Sequence, residues 1–367
     1  MILHKLSILN YKNILQAEID FSSGINCFFG NNGMGKTNLL DAVYYLSFCK
    51  SHANTPDSQI IRNGQEMCVI EGKYDYDGHE EDIFCGIRTG QHKQFRRNKK
   101  EYQKLSEHIG LLPLVMVSPA DHILIQGGSE ERRRFLDIII SQQDKTYLAA
   151  LIQYNKALMQ RNTMLRNQSY DDALYESIEL ILERNGLLIH DRRQKLITDL
   201  IPVFNRFYQI ICNSTEVVGL KYVSQLDRDD FEERMSNSRE HDRILGFTSV
   251  GAHKDDLEMT LDDRLIRRVG SEGQNKTFLI SLKLAQFDFL EKHGQTTPIL
   301  LFDDIFDKLD AARVEQIIEL VSQGHFKQIF ITDTNRKHLD QILTPTGGNF
   351  ALFQVNNGEV KTMEGTL

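Results

Sequence analysis

The sequence predicts an α/β fold, a mixed sheet flanked by helices, with a compact helical lobe inserted into it. Three observations predict it. A short apolar run, INCFF, leads into a glycine-rich turn and then a helical pattern, GNNGMGKTNLLDAV. A second apolar run, PILLF, ends in two aspartates far down the chain. Between them, residues 118–245 carry apolar stripes at helical spacing.

The N-terminus, MILHKLSILNYKN, alternates apolar and polar residues, which suits a strand and not a signal peptide. The run INCFF reads as a buried strand, and Thr37 to Phe48 as a helix through Leu39, Leu40, Val43, Tyr44 and Leu46. The turn joining them has the pattern G-x-x-x-x-G-K-[ST]. It comprises Gly30, Asn31, Asn32, Gly33, Met34, Gly35, Lys36 and Thr37, followed by Asn38. Glycines let backbone N–H groups converge on phosphate oxygens, and the helix N-terminus adds partial positive charge. Lys36 is expected to reach the β- and γ-phosphates of ATP, and the Thr37 hydroxyl to ligate Mg²⁺.

Further along, QHKQFRRNKK gathers Lys93, Arg96, Arg97, Lys99 and Lys100, and a second stretch holds Arg132, Arg133 and Arg134. Such groups neutralise nucleic-acid phosphates. The first stretch reads equally as a solvated β-hairpin tip with Asn98 in the turn, the second as arginines bridging to carboxylates. Lys156, Arg161 and Arg166 are similar DNA candidates, and His253 is either ligand-facing or a hydrogen-bonded structural histidine. In the lobe, Leu148, Leu151, Ile152, Leu158 and Met159 form one expected stripe. Leu174, Ile178, Ile181, Leu182 and Ile189 form another. No heptad pattern survives Gly186 and Ile201-Pro202, which argues for several helices in a compact lobe.

Ser271-Glu272-Gly273-Gln274 precedes a helical pattern carried by Phe278, Leu279, Leu282, Leu284 and Ala285, a helix N-terminus that can take an anion. The run PILLF reads as a parallel strand covered on both faces, with Asp303 and Asp304 at its carboxyl end, where open α/β folds bind ligands. There Asp303 would hold Mg²⁺ and Asp304 would polarise the attacking water as a general base. A further apolar strand over residues 328–331 is followed by Thr332-Asp333-Thr334.

Composition narrows the class. Hydrophobic content of 41% with 26% charged residues suits a globular chain, and no apolar run has the length of a membrane span. A net charge of −8, from 43 basic and 51 acidic residues, argues against indiscriminate coating of nucleic acid but allows a local basic surface. Cys27, Cys49, Cys68, Cys85 and Cys212 lack paired spacing, so a reducing cytoplasm is the expected setting.

The order of phosphate loop, S-x-G-Q, apolar strand with two aspartates, then Asp307-Lys308-Leu309-Asp310 resembles an ATP-binding-cassette head of the SMC-like kind, a P-loop ATPase. In that class the segment Ser271 to Gln274 caps the γ-phosphate held by a second protomer, and Asp310, in the D-loop position, lies along the seam. ATP is thus the glue of a homodimer. Gln126 is a candidate for the glutamine that senses Mg²⁺ and water in that superfamily.

The whole chain, moreover, resembles the RecF family of bacterial recombination and gap-repair ATPases. The residues carrying this run end to end. They are Ser118-Pro119, the stretch GSEERRRFLD from Gly128, YNKAL from Tyr154, QRN from Gln160, Thr248, GAHKDD from Gly251, Ser271 to Gln274, LKLA from Leu282, and Asp303-Asp304. Ala252 stands where the family usually has proline, Lys254 where it has arginine, and Asp307-Lys308 where Ser-Glu is commoner. These departures leave the site chemistry intact. Thr332 to Thr334 stand where a cassette transporter has its switch histidine, which suits slow hydrolysis.

The resemblance implies ATP-dependent binding of double-stranded, gapped or junction DNA, with slow, DNA-stimulated hydrolysis. With RecO and RecR such a protein supports RecA loading, replication restart and the SOS response, in the cytoplasm and at the nucleoid. The alternatives are another SMC-like scaffold, a transport-coupled cassette ATPase, or a small-molecule kinase, which would leave Ser271 to Gln274 unexplained. The expected organisation is a discontinuous ATPase head, residues 1–117 and 246–367, around an inserted lobe, residues 118–245.

Overall fold

A computed structural model describes the chain except for residues 213–215, 228, 229, 308, 323, 335, 337, 338, 341–349 and 364–367. It divides into two units. The first comprises Met1–Asp121, Ile210–Asn213 and Glu272–Leu367, the second His122–Gln209 and Ser214–Ser271. Lys308, expected ahead of the D-loop aspartate, lies outside the described residues.

In the first unit, strict alternation builds an antiparallel sheet. Along Ile2–Tyr11 the side chains of Leu3, Leu6 and Ile8 are buried, and this fixes the register Leu6↔Ile19 and Ile8↔Ala17 against Ile14–Asp20. Along Met67–Tyr76 the buried set is Cys68, Ile70 and Tyr74. The strand order is Ile14–Asp20, Ile2–Tyr11, Met67–Tyr76, His79–Arg88, Gln94–Arg97, Lys100–Glu101. Two-residue turns with both φ values positive close two of its hairpins, Asp77-Gly78 (57° and 84°) and Asn98-Lys99 (49° and 68°).

The second sheet of this unit runs Glu359–Met363, Phe350–Asn356, Ile25–Phe29, Ile329–Asp333, Ile299–Asp303, Leu114–Val117. All neighbours are parallel except the first pair. Ile299–Asp303, Ile329–Asp333 and Leu114–Val117 are buried at every position, as parallel strands covered on both faces must be. The strand expected over 328–331 runs over Ile329–Asp333, so Thr332 and Asp333 are its last residues. Helix Lys36–Phe48 touches strands of both sheets, Met67–Tyr76 on one side and Ile299–Asp303 on the other. This explains why it is buried on every side from Leu39 onward, with only Thr37 and Asn38 of its first turn reaching the surface. Gln328 ties the sheets together: its amide accepts from Leu3 N (2.8 Å) and donates to Leu3 O (2.8 Å) and Ser22 O (2.9 Å). Phe21 meets Phe28, Phe330 and Phe353 edge-on, filling the space beneath the phosphate-loop strand. Among the described residues, no helix is long and apolar enough to cross a membrane.

The second unit departs from expectation in three ways. Gly186 and Pro202 do not end helices. A single helix, Asp172–Cys212, runs 41 residues through both. Gly186 is there for close packing: a Cβ would stand 3.3 Å from the Tyr154 ring. A proline costs a helix about 3 kcal/mol, and burial of Leu196, Ile197, Leu200, Phe204 and Phe207 around Pro202 offsets it.

The inward face of helix Lys145–Arg166 is likewise not the aliphatic stripe. Tyr147, Ala150, Tyr154, Ala157 and Arg161 are buried, whereas Ile152 and Met159 are 50% and 62% exposed. The interior here is polar and needs hydroxyls and a guanidinium. In the second expected stripe, Ile178, Leu182 and Ile189 are buried but Leu174 and Ile181 are exposed.

Finally, residues 246–271 group with the second unit and not with the two sheets of the first. The reason is pairing. Strand Asp256–Leu261 lies between Val218–Val223 and Arg264–Leu265 in a three-stranded antiparallel sheet, so the lobe is not purely helical.

Two buried ion networks hold this unit. Arg161, fully buried, donates to Glu179 (3.0 Å), Asp242 (2.6 Å) and Thr248 (3.1 Å). Arg193 donates to Asp137 (2.8 Å), Asp255 (2.8 Å) and the Ala252 carbonyl (2.9 Å).

Candidate active site

The phosphate loop leaves strand Ile25–Phe29 and enters helix Lys36–Phe48. Gly33 and Gly35 have φ of 79° and 111°, conformations that side chains with a Cβ resist. Asn31, Asn32 and Gly33 are exposed at the crest. Lys36 is buried beneath it, its ammonium donating to the carbonyls of Gly30 (2.8 Å) and Asn31 (3.3 Å). Asn38 donates to Asn13 (2.8 Å), and Asn13 in turn fills the space beside Gly35. The turn joining the last two strands braces the loop from outside, with Gly358 N donating to Met34 O (2.8 Å).

A Cβ on Gly30 would stand 2.3 Å from the Val355 carbonyl, and one on Gly33 would meet nothing. Gly30→Ala must therefore push the loop off the neighbouring strand. Urea unfolding should show a loss of about 1–3 kcal/mol together with weakened nucleotide binding. Gly33→Ala should cost only about 1–2 kcal/mol of left-handed backbone strain.

Asp303 and Asp304 stand at the carboxyl end of Ile299–Asp303, beside the loop. Thr37 Oγ1 donates to Asp303 Oδ1 at 3.0 Å, across 266 residues of sequence. Thr332 Oγ1, from the adjacent strand, donates to the same oxygen at 2.7 Å. Burial pushes the Asp303 carboxyl up, and the hydrogen bonds from Thr332 and Thr37 pull against it. The Asp304 carboxyl is also raised, by burial first and by the charges of Asp303, Asp333 and Asp307, with Lys36 opposing. Asp304 has φ +46°, a left-handed backbone unusual for a residue with a side chain. Its N–H donates to Thr332 O (3.2 Å) and Oγ1 (3.0 Å).

Hard oxygen donors from Thr37 and Asp303 suit Mg²⁺, and an ion there would relieve the crowding of carboxylates. A carboxylate with a raised pKa, held next to such a centre, can take a proton from water.

Gly273 and Asp310 meet through one side chain. Helix Glu272–His293 begins at Glu272, with Gly273 and Gln274 in its first turn. A Cβ on Gly273 would stand 2.9 Å from Arg313, and Arg313 Nε pairs with Asp310 (3.2 Å). Asp310 also accepts from Arg313 N (3.0 Å) at the start of helix Ala311–Ser322. Lys276 donates to the Asp307 carbonyl. Ser271 is exposed and is the last residue of the second unit. Gln126 is exposed at the end of helix Ile123–Gln126, also in the second unit.

Sequence reasoning missed the Asp41 cluster. Buried Asp41, in the phosphate-loop helix, accepts from Tyr11 (2.6 Å), Ser51 (2.8 Å) and His52 N (2.7 Å) and pairs with Lys12 (2.6 Å). The available signal was a lone carboxylate within the apolar run from Leu39 to Leu46, which needs partners.

Comparison with known proteins then decides the family. Residues 2–360 match the family model described as RecF/RecN/SMC N terminal domain. The DNA replication and repair protein RecF of Parabacteroides distasonis is 68% identical over 364 residues, covering 99% of this chain and all of the relative. The chain belongs to the RecF family of DNA replication and repair proteins.

Solved structures agree with this. A structure described as the recombination mediator protein RecF-ATP in the RecFOR pathway superposes with a TM-score of 0.87 at 27% identity, covering 98% of this chain and 99% of that one. An SMC head bound to the C-winged helix domain of ScpA shares the fold at a TM-score of 0.59 and 15% identity, with 99% of this chain and 97% of that one covered.

The structure sorts the basic residues of this RecF-family chain. Lys93 is engaged internally, with the Cys49 carbonyl (2.6 Å), Tyr45 (3.1 Å) and Asp57 (3.0 Å), so it is not a phosphate contact here. Arg97 forks onto Glu81, and Arg96 lies over the Phe84 ring (5.2 Å). Lys99 and Lys100 are exposed at the hairpin tip. Arg132 is buried, bidentate to Asp256 (2.6 and 3.0 Å), and Arg133 donates to the Asp255 carbonyl (2.7 Å). Both positions are structural, as is the fully buried Arg161, because a desolvated guanidinium needs a fixed carboxylate or carbonyl. Lys156 and Arg166 stay exposed. His253 is structural: it bonds Tyr154 (2.8 Å) and the Thr248 carbonyl (2.9 Å), and burial pushes its pKa down to about 4.

Proposed function

We propose that this chain is an ATP-switched DNA-binding protein of recombinational gap repair. The observation that carries the reading is the 3.0 Å hydrogen bond from Thr37 to Asp303, which joins the phosphate loop and the aspartate-bearing strand into one site. In this reading Gly30 to Asn38 wrap the ATP phosphates and Lys36 exchanges its loop carbonyls for phosphate oxygens. Thr37 and Asp303 would hold Mg²⁺, which would neutralise phosphate charge. Asp304 accepts a proton as water attacks the γ-phosphorus and the bond to ADP breaks.

Ser271, Glu272, Gly273 and Gln274, with Asp310, complete the site of a second protomer, so ATP favours a homodimer. DNA, double-stranded, gapped or at a junction, binds that dimer, stimulates slow hydrolysis and is released by it. Lys99 and Lys100, exposed and without a carboxylate fork, are the retained phosphate-contact candidates of their stretch. The RecFOR context of the solved relative supports RecR and RecO as partners, with RecA loading, replication restart and the SOS response downstream, in the cytoplasm at the nucleoid.

Fluorescence anisotropy of labelled gapped duplex tests this. Binding should require ATP over ADP and disappear in Ser271→Arg. It should strengthen in Asp304→Asn, where loss of the base slows hydrolysis by about 10²–10⁴-fold. Binding indifferent to the nucleotide would remove the switch.

A further inference from the structure

Thr332 is fully buried at the end of strand Ile329–Asp333, paired in register with Asp303. Its hydroxyl makes two bonds of opposite sense. It donates its single proton to Asp303 Oδ1 (2.7 Å) and accepts from Asp304 N (3.0 Å). Asp304 N also reaches the Thr332 carbonyl (3.2 Å), so one residue holds this N–H from both its backbone and its side chain.

Two consequences follow from that geometry. Asp303 Oδ1 receives both hydroxyls, from Thr37 and Thr332, which sets the rotation of the carboxylate about its Cβ–Cγ bond and turns Oδ2 away from both. Asp304, at φ +46°, sits in a backbone well that costs a residue with a Cβ about 1–2 kcal/mol. Such a conformation persists only where surrounding bonds over-determine it.

We propose that Thr332 is a positioning residue for ATP hydrolysis, its hydroxyl orienting the Asp303 carboxylate and holding Asp304 in the backbone conformation that aims its side chain. This rests on the reading of Asp303 and Asp304 given above and adds a residue to it. Because Thr332 is fully buried, its loss is expected to act on turnover and to leave nucleotide affinity in place.

The test compares Thr332→Ser with Thr332→Ala, which differ by one oxygen, alongside Thr332→Val, which keeps the shape of threonine. Single-turnover hydrolysis and equilibrium binding of ATP would be measured on the full chain with Mg²⁺. Loss of a hydrogen bond to a charged group is worth about tenfold or more in rate. The hydrolytic rate should therefore fall about that much in Thr332→Ala and Thr332→Val. Affinity should stay within about twofold, and Thr332→Ser should keep the rate of the parent.

Equal rates for the serine and alanine variants would overturn the proposal, as would a parallel loss of affinity and rate. If valine does not fold at this site, the serine and alanine pair alone decides. Lys36→Ala, run beside them, separates the two levels. Hydrolysis lost in Lys36→Ala but equal in the Thr332 pair defeats only the role of Thr332. Hydrolysis untouched in Lys36→Ala defeats the site itself.

Discussion

Lys36→Ala is expected to lower ATP affinity by at least about 100-fold and to leave hydrolysis at background. Lys36 is a buried ammonium that donates to the carbonyls of Gly30 and Asn31. Two neutral carbonyls are poor partners for a desolvated charge compared with phosphate oxygens, so the side chain is poised to exchange them when a nucleotide enters. It also faces the acidic end of the sheet, where it offsets the charge of Asp303 and Asp304. Alanine removes both effects and leaves the loop backbone in place, so the protein should stay folded without nucleotide.

The measurement is a thermal melt with and without ATP and Mg²⁺. Binding at 100 times Kd stabilises a native protein by about 2.7 kcal/mol, seen as an upward shift of the melt. The parent should shift and Lys36→Ala should not. A variant that still shifts like the parent would show that ATP binds elsewhere.

The second large effect lies away from the nucleotide. Arg193→Met should destabilise the second unit by about 3–5 kcal/mol, the cost of leaving a buried carboxylate uncompensated. Asp255 is fully buried and is neutralised by Arg193, with Tyr222 and Ser224 completing its hydrogen bonds. Asp137 loses the same partner. Arg192, one residue earlier, is the control: its side chain is 41% exposed, and its partners Asp144 and Asp191 are 26% and 67% exposed. Arg192→Met should change stability by less than about 1 kcal/mol. Urea denaturation followed by helical circular dichroism would compare the two. Equal, small losses would mean that water reaches the Arg193 cluster and that burial is not what makes it costly.

Much of the nucleotide site was legible without coordinates. The strand Ile25–Phe29, the glycine turn and the apolar strand ending in Asp303 each declare themselves within about ten residues, through periodicity and chain punctuation. The hairpin turn at Asn98-Lys99 was readable for the same reason. The lobe was harder. Its helices bury tyrosines, an arginine and a glycine, so an aliphatic stripe pointed to the wrong face of Lys145–Arg166. Gly186 and Pro202 looked like breaks because local propensity does not know what packs around it. Among the basic residues, the sequence showed charge and nothing of its partners: Lys93 and Arg132 looked identical to the exposed Lys99 until Asp57 and Asp256 were placed beside them.

By itself, then, the sequence determined that this chain has a glycine-rich loop between strand and helix, a strand ending in paired carboxylates and a helix opening at the S-x-G-Q segment, because each is a local pattern set by backbone geometry. Only the tertiary structure decided that Thr332 joins Asp303 to Asp304, that Asp41 gathers Tyr11, Lys12 and Ser51, and which cations are spent inside. Those contacts join segments brought together by sheet order and packing. A hydroxyl or a charge carries no mark along the chain of the partner that will satisfy it once water is gone.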